Sequence, residues 1–173
     1  KISSNIIGSF SENKLHHAIL IDGKKGIGKA SFAKELLKKL SGNNNLNNPD
    51  ILLIEKEGDK KEITVDKIRK IFDFTTQTSA ISKNKFIIID SACQLNKSAS
   101  NALLKALEEP RPNTFLFLIS HSINKILPTI KSRCFIVKVP SLTQEQFYQI
   151  IKNSNSEITE NELLFLSEIC DNS

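Results

Sequence analysis

The chain has 173 residues, 39% apolar and 25% charged, with a formal net charge of +5, which suffices for one sizeable domain and a small appendage. No run approaches the ~20 uninterrupted apolar residues of a membrane span, and KISSNIIGSF at the start lacks the apolar core and cleavage site of a secretory signal, so a cytoplasmic protein with no membrane partner is expected. The basic excess consists of 21 lysines and only Arg69, Arg111 and Arg133, without the aromatic-interleaved stripe of a single-strand binder, which makes salt-driven nucleic-acid binding by this segment alone the lesser reading.

Cys93, Cys134 and Cys170 are dispersed, with no CxxC pair, a pattern of unpaired thiols in a reducing compartment. His16 and His17 are adjacent and His121 is remote from them. Metal ligands normally come in close pairs, so no zinc or other metal site is expected.

Apolar runs alternate with amphipathic segments, the pattern of an α/β fold whose parallel sheet is covered by helices. HAILID (17–22) reads as a strand and leads into the turn GKKGIGK. KASFAKELLKKL (29–40) then carries Phe32, Leu36, Leu37 and Leu40 near helical spacing. SGNNNLNNPD (41–50) has no periodicity and many turn formers, so a surface loop is expected there. ILLIE (51–55) is a strand, followed by the charged turn EGDKKE. TVDKIRKIFDFTTQ is a helix with Ile68, Ile71 and Phe72 on one face. KFIIIDSA (85–92) is apolar enough to be a central strand buried on both faces. The helix NKSASNALLKALEE (96–109) stops at Pro110, strand TFLFLIS (114–120) follows, and INKILPTIKSR (123–133) reads as short helices and turns. CFIVKV (134–139) is the fifth strand and closes the core, with Pro140 as a boundary. The predicted domains are therefore a core at 1–140 and, at 141–173, the beginning of a small helical unit containing LTQEQFYQIIKN and TENELLFLSEIC.

Gly23-Lys24-Lys25-Gly26-Ile27-Gly28-Lys29-Ala30 matches GxxxxGK between a strand and a helix, the context in which glycines let backbone N–H groups close around phosphate oxygens. Lys29 would reach the β- and γ-phosphates. The competing reading is a lysine-rich turn that matches by chance, which the strand–turn–helix setting and the downstream motifs disfavour. Ala30 occupies the place of the Ser or Thr that coordinates Mg²⁺, and a methyl group cannot ligate a hard cation. Asp90, at the tip of FIIID, fits the Walker B position. The next residue is Ser91, whose neutral hydroxyl is a poor general base at pH 7. Both changes weaken the same site.

Asn96 to Pro110, which contains NALLKALEEP, is followed by NTFLFLIS and then by ILPTIKSRC. In that order these motifs resemble the clamp-loader subunits of bacterial DNA polymerase III, of the AAA+ superfamily, and among them the delta-prime type. The resemblance runs from about Leu15 to the end of the chain. It implies an AAA+ P-loop core, and an arginine finger at Arg133 of the SRC motif (Ser132, Arg133, Cys134) presented to ATP on the neighbouring subunit. A guanidinium suits that task because it is always charged and forks onto phosphate oxygens. Taken alone, Arg133 reads equally as the cap of a helix C-terminus. Ser120 falls at the sensor 1 position, and a plain strand-end serine is the competing reading. Glu108 and Glu109 point in different directions at helix spacing, and the family implies a structural role for them before Pro110.

The resemblance also implies the partners: the gamma/tau and delta subunits, the sliding clamp, and primer-template DNA met through the assembled complex. It places the chain in a nucleotidyltransferase holoenzyme without making it an active ATPase, its own site holding ATP or ADP at most without efficient hydrolysis. An active gamma/tau-like motor is the alternative, using Lys29 and Asp90 with water in place of a side chain at Ala30. Many relatives carry a four-cysteine zinc module where this sequence has SGNNNLNNPD, hence the expectation of no zinc. LLFLSEICDNS resembles the lid helix before sensor 2, so a truncated lid, an absent collar and a fragment beginning at Lys1 are expected.

Overall fold

The computed structural model describes residues 2–43, 48–58, 61–141 and 143. Contacts divide the chain into Lys1–Val139 and Pro140–Ser173. The helices expected after Pro140 lie outside the described residues.

The first element, α1 (Ile2–Ser11), was not evident in the sequence. Its apolar face is Ile2, Ile6 and Phe10, four residues apart, and Ile6 is buried. Phe10 meets the rings of Phe86 and Phe115 at centroid distances of 6.1 and 5.4 Å, so packing sustains a helix whose Ser, Asn and Gly content is unfavourable. Then come β1 (Ala18–Asp22) and α2 (Lys29–Ser41), which ends at Gly42 in the left-handed region, φ 66°. β2 (Ile51–Ile54), α3 (Val65–Thr76) and β3 (Lys85–Ile89) follow. α4 (Lys97–Glu108) is capped by Asn96, whose Oδ1 accepts from Ala99 N at 2.8 Å. The core ends with β4 (Thr114–Ser120), the short α5 (Pro128–Lys131) and β5 (Phe135–Lys138).

The five strands form one parallel sheet in the order β2-β3-β4-β1-β5. Alternate side chains serve opposite faces. Leu20, Ile87, Ile89, Leu116 and Leu118 pack with Ile68 and Ile71 of α3 and Leu103 and Leu107 of α4. Ile19, Ile21, Phe86, Ile88, Phe117 and Ile119 pack with Leu36, Leu37 and Leu40 of α2 and with Ile6 of α1. Cover on both faces is why β3 reads as an unbroken apolar run, and all five of its residues are buried. β5 ends the sheet as an edge, and there the apolar sequence misleads: Val137 is buried, whereas Phe135 and Ile136 are 58% and 37% exposed.

The expected loop at 41–50 contributes more than a surface connection. Asp50 is buried, and its carboxylate accepts from Ala80 N (2.7 Å), Ile81 N (2.8 Å) and Ser82 N (2.7 Å). Burial alone would raise its pKa, but the Ser82, Ala80 and Ile81 amides outweigh that and hold it below the ordinary 3.8. Lys85, buried within β3, donates to the carbonyls of Phe74 and Gln77 and sits 4.6 Å from the Phe74 ring centroid. A cation thus serves the carboxyl end of α3, where the helix dipole favours it. Two buried charges tie down the connection between α3 and β3.

Candidate functional site

In a parallel sheet the loops leaving the carboxyl ends of the strands meet at one edge, where ligands usually bind. The register brings Asp22 of β1 beside Ser120 of β4 and Lys138 of β5. Two backbone bonds carry this alignment into the glycine loop: Gly23 N donates to Ser120 O at 3.3 Å, and Val139 N to Asp22 O at 2.7 Å. A Cβ at Gly23 would stand 2.7 Å from the carbonyl oxygen of Val139, so the loop leaves β1 through a gap only glycine fits. Gly26 and Gly28 both adopt φ 86°, which glycine reaches without strain. The first helical bond of α2 runs from Phe32 N to Gly28 O at 2.8 Å. The amides before it lack intrahelical acceptors and supply the positive end that suits a phosphate.

Lys29 is buried at the first position of α2, and its Nζ donates to the carbonyls of Gly23 (2.7 Å) and Lys24 (2.5 Å). Burial lowers its pKa, while the charges of Asp22, Asp90 and Cys93 oppose that shift. Gly23, Gly26, Gly28, Lys29, Ala30 and Asp90 thus meet at one edge, as their motif spacing requires. Ser91 is in the left-handed region at φ 58°, and its hydroxyl donates to Asp90 Oδ1 at 3.4 Å. The glycine loop and Lys29 fit a phosphate. The donor set for Mg²⁺ is thinner: Ala30 has only a methyl, Asp90 remains, and the buried Oδ1 of Asp22 finds no hydrogen-bond partner among the described residues.

At the sensor position Ser120 takes the form of a strand-end serine. That side chain is fully buried, and its Oγ accepts from Ser122 N at 3.0 Å, so the hydroxyl caps a turn while the backbone carbonyl anchors Gly23. The next residue, His121, lies near the charges of the loop. Its pKa is lowered by burial and then by Lys29, Lys25 and Lys125, with Asp90 opposing. Its ring nitrogens lie 3.3 and 3.4 Å from Cys93 Sγ. Cys93 and His121 follow Asp90 and Ser120 by three residues and one, and those offsets are the only sequence signal that could have paired them. Among the described residues no group of His, Cys, Asp or Glu is arranged to hold a metal ion, and the Cys93 and Cys134 thiols are free.

Arg133 is not brought to this edge. It precedes β5, so it stands where the strands begin, and the P-loop where they end. At about 3.3 Å per residue, the length of β1 separates those edges by roughly 15 Å. Its side chain is 36% exposed; Nη2 lies 2.9 Å from Oε1 of Glu108, and Nη1 donates to Thr129 O at 2.9 Å and Ser132 Oγ at 3.4 Å. The bond to Thr129 is the helix-end cap that the residue type alone allowed. The partner Glu108 had been read only as part of a helix ending.

The family described as DNA polymerase III, delta subunit, matches residues 1–143. A DNA polymerase III subunit delta' from Pseudomonas aeruginosa is 36% identical over 135 residues, 68% of this chain and 41% of that protein. Its counterpart in Buchnera aphidicola subsp. Schizaphis graminum is 34% identical over 173 residues, 88% and 51% of the two chains. The chain therefore spans about half the length, or less, of these curated relatives. A crystal structure of a DNA polymerase III gamma-subunit-related protein from Thermotoga maritima superposes with a TM-score of 0.73 at 26% identity, covering 88% of this chain and 50% of that one. The fold is an AAA+ P-loop core, and no helix of the described residues is long and apolar enough to cross a membrane. On the extent of the family match and the identity to relatives named delta', this chain belongs to the DNA polymerase III delta-subunit family.

Proposed function

We propose that this chain acts in the cytoplasm as a delta-prime-type subunit of the DNA polymerase III clamp loader. It helps to place the sliding clamp on primed DNA and lends Arg133 to ATP bound by a neighbouring subunit. The observation that carries this reading is the position of Arg133: a partly exposed guanidinium a strand's length from its own phosphate loop has no part in that loop's chemistry and keeps N–H donors for another's. The chain's own loop, with Ala30 and Ser91 at two functional positions, holds ATP or ADP without efficient hydrolysis. Its partners are the gamma/tau and delta subunits, the clamp, and primer-template DNA reached through the complex.

The test is ATP hydrolysis by the reconstituted loader. Arg133→Ala lowers the rate at the affected site by about 10³-fold or more, whereas Lys29→Ala leaves clamp loading near that of the unaltered loader. An unchanged rate with Arg133→Ala refutes the reading. The retained Lys29 and Asp90 favour one rival, an active motor, and brisk Mg²⁺-dependent turnover by the isolated chain would establish it instead.

A further inference from the structure

The contact between Arg133 and Glu108 joins two segments that the family reading treats separately, the helix before Pro110 and the SRC arginine. We propose that Glu108 is a positioning residue that holds the Arg133 guanidinium ready for a neighbour's phosphate; this rests on reading Arg133 as a finger. Glu108 is the last residue of α4, which is pinned to the sheet by the buried Ala99, Leu103 and Leu107. On the other side, Thr129 belongs to α5, anchored by the buried Ile130. The guanidinium is therefore gripped between two fixed supports, by Glu108 Oε1 at 2.9 Å and Thr129 O at 2.9 Å, with Ser132 Oγ at 3.4 Å.

Of the five N–H donors of an arginine, these contacts occupy three and leave the Nε–H and one Nη2–H for an incoming oxygen. An exposed arginine otherwise samples many rotamers and loses that freedom when it binds. A side chain fixed beforehand has less to lose. The partial exposure of both groups, 36% for Arg133 and 49% for Glu108, leaves room for phosphate to approach. It also keeps the ion pair weak enough to share the cation. Glu109 forms no ion pair among the described residues and carries the same charge one position along, which makes it the natural control.

The experiment measures steady-state kcat and KM for ATP in the loader reconstituted with the full-length chain, its ATP-hydrolysing neighbour, clamp and primed DNA. Glu108→Ala lowers kcat about three- to tenfold with KM for ATP nearly unchanged, because the finger acts in the transition state. Glu108→Gln, which keeps an acceptor for Nη2, recovers most of the rate, and Glu109→Ala matches the unaltered loader. Adding Glu108→Ala to Arg133→Ala costs nothing further, since Glu108 acts through Arg133. Should Arg133→Ala slow the loader while Glu108→Ala runs at the unaltered rate or faster, the positioning role is overturned and the finger stands. Additive losses in the double variant overturn it as well. Should Arg133→Ala itself leave the rate intact, the finger reading fails, and the role of Glu108 with it.

Discussion

Replacing Asp50 by alanine removes a buried carboxylate that accepts three backbone hydrogen bonds, at 2.7, 2.8 and 2.7 Å, from Ala80, Ile81 and Ser82. A hydrogen bond to a charged group contributes about 1.5–3 kcal/mol net. The three share one charge and offset its burial, so they do not sum. A loss of about 3 kcal/mol is expected, within the range for breaking a buried charged network. For a chain of this size that lowers the melting temperature by about 6–12 °C. Asp50→Asn is no rescue, because one of its two terminal atoms becomes a donor facing donors. The stabilisation is also linked to pH. The folded pKa lies below the ordinary 3.8, so the unfolded chain takes up the proton first as pH falls. The contribution is complete above about 3.8 and is lost as pH falls through the lower folded value. Thermal unfolding followed by circular dichroism at pH 7 and at steps below pH 4 measures both effects. A loss under 1 kcal/mol at pH 7, or a gap between the two proteins that stays constant into acid, would refute the role given to this carboxylate.

Gly23→Ala places a methyl 2.7 Å from the Val139 carbonyl oxygen, and displacing the end of β5 costs about 1–3 kcal/mol. Denaturant unfolding reads the loss, and unchanged stability would mean that the glycine is not required by the contact with β5. Burial pushes the Cys134 thiol up to about 12, so at pH 8 the half-buried Cys134 of the native protein is alkylated more slowly than in the denatured chain. Mass spectrometry of native and denatured samples decides this, and native labelling as fast as that of the denatured chain contradicts the raised pKa.

Each strand was readable because a sheet covered on both faces demands continuous apolar runs, and each such run in the sequence became a strand. The glycine loop was readable for a similar reason. The backbone path of such a loop is local, so the spacing of Gly23, Gly26, Gly28 and Lys29 carries it unaided. Helix α1 was not readable, because Ser3, Ser4, Asn5 and Gly8 are weak helix formers and the rings that hold Phe10 come from β3 and β4. Nor could β5 be recognised as an exposed edge, since strand order is a property of the whole sheet.

Within the site, the amino acids themselves determined the glycine loop's spacing and that Ala30 and Ser91, a methyl and a neutral hydroxyl, stand at its two key positions. Only the folded chain decided that Ser120 turns inward and His121 faces the loop charges, because a one-residue shift at a strand end reverses which side chain points where. The same holds for Glu108 and Arg133. They are 25 positions apart, and their ion pair exists because α4 and α5 end side by side. Spacing along a chain encodes local backbone chemistry, whereas a contact between distant residues needs the packing that brings them together.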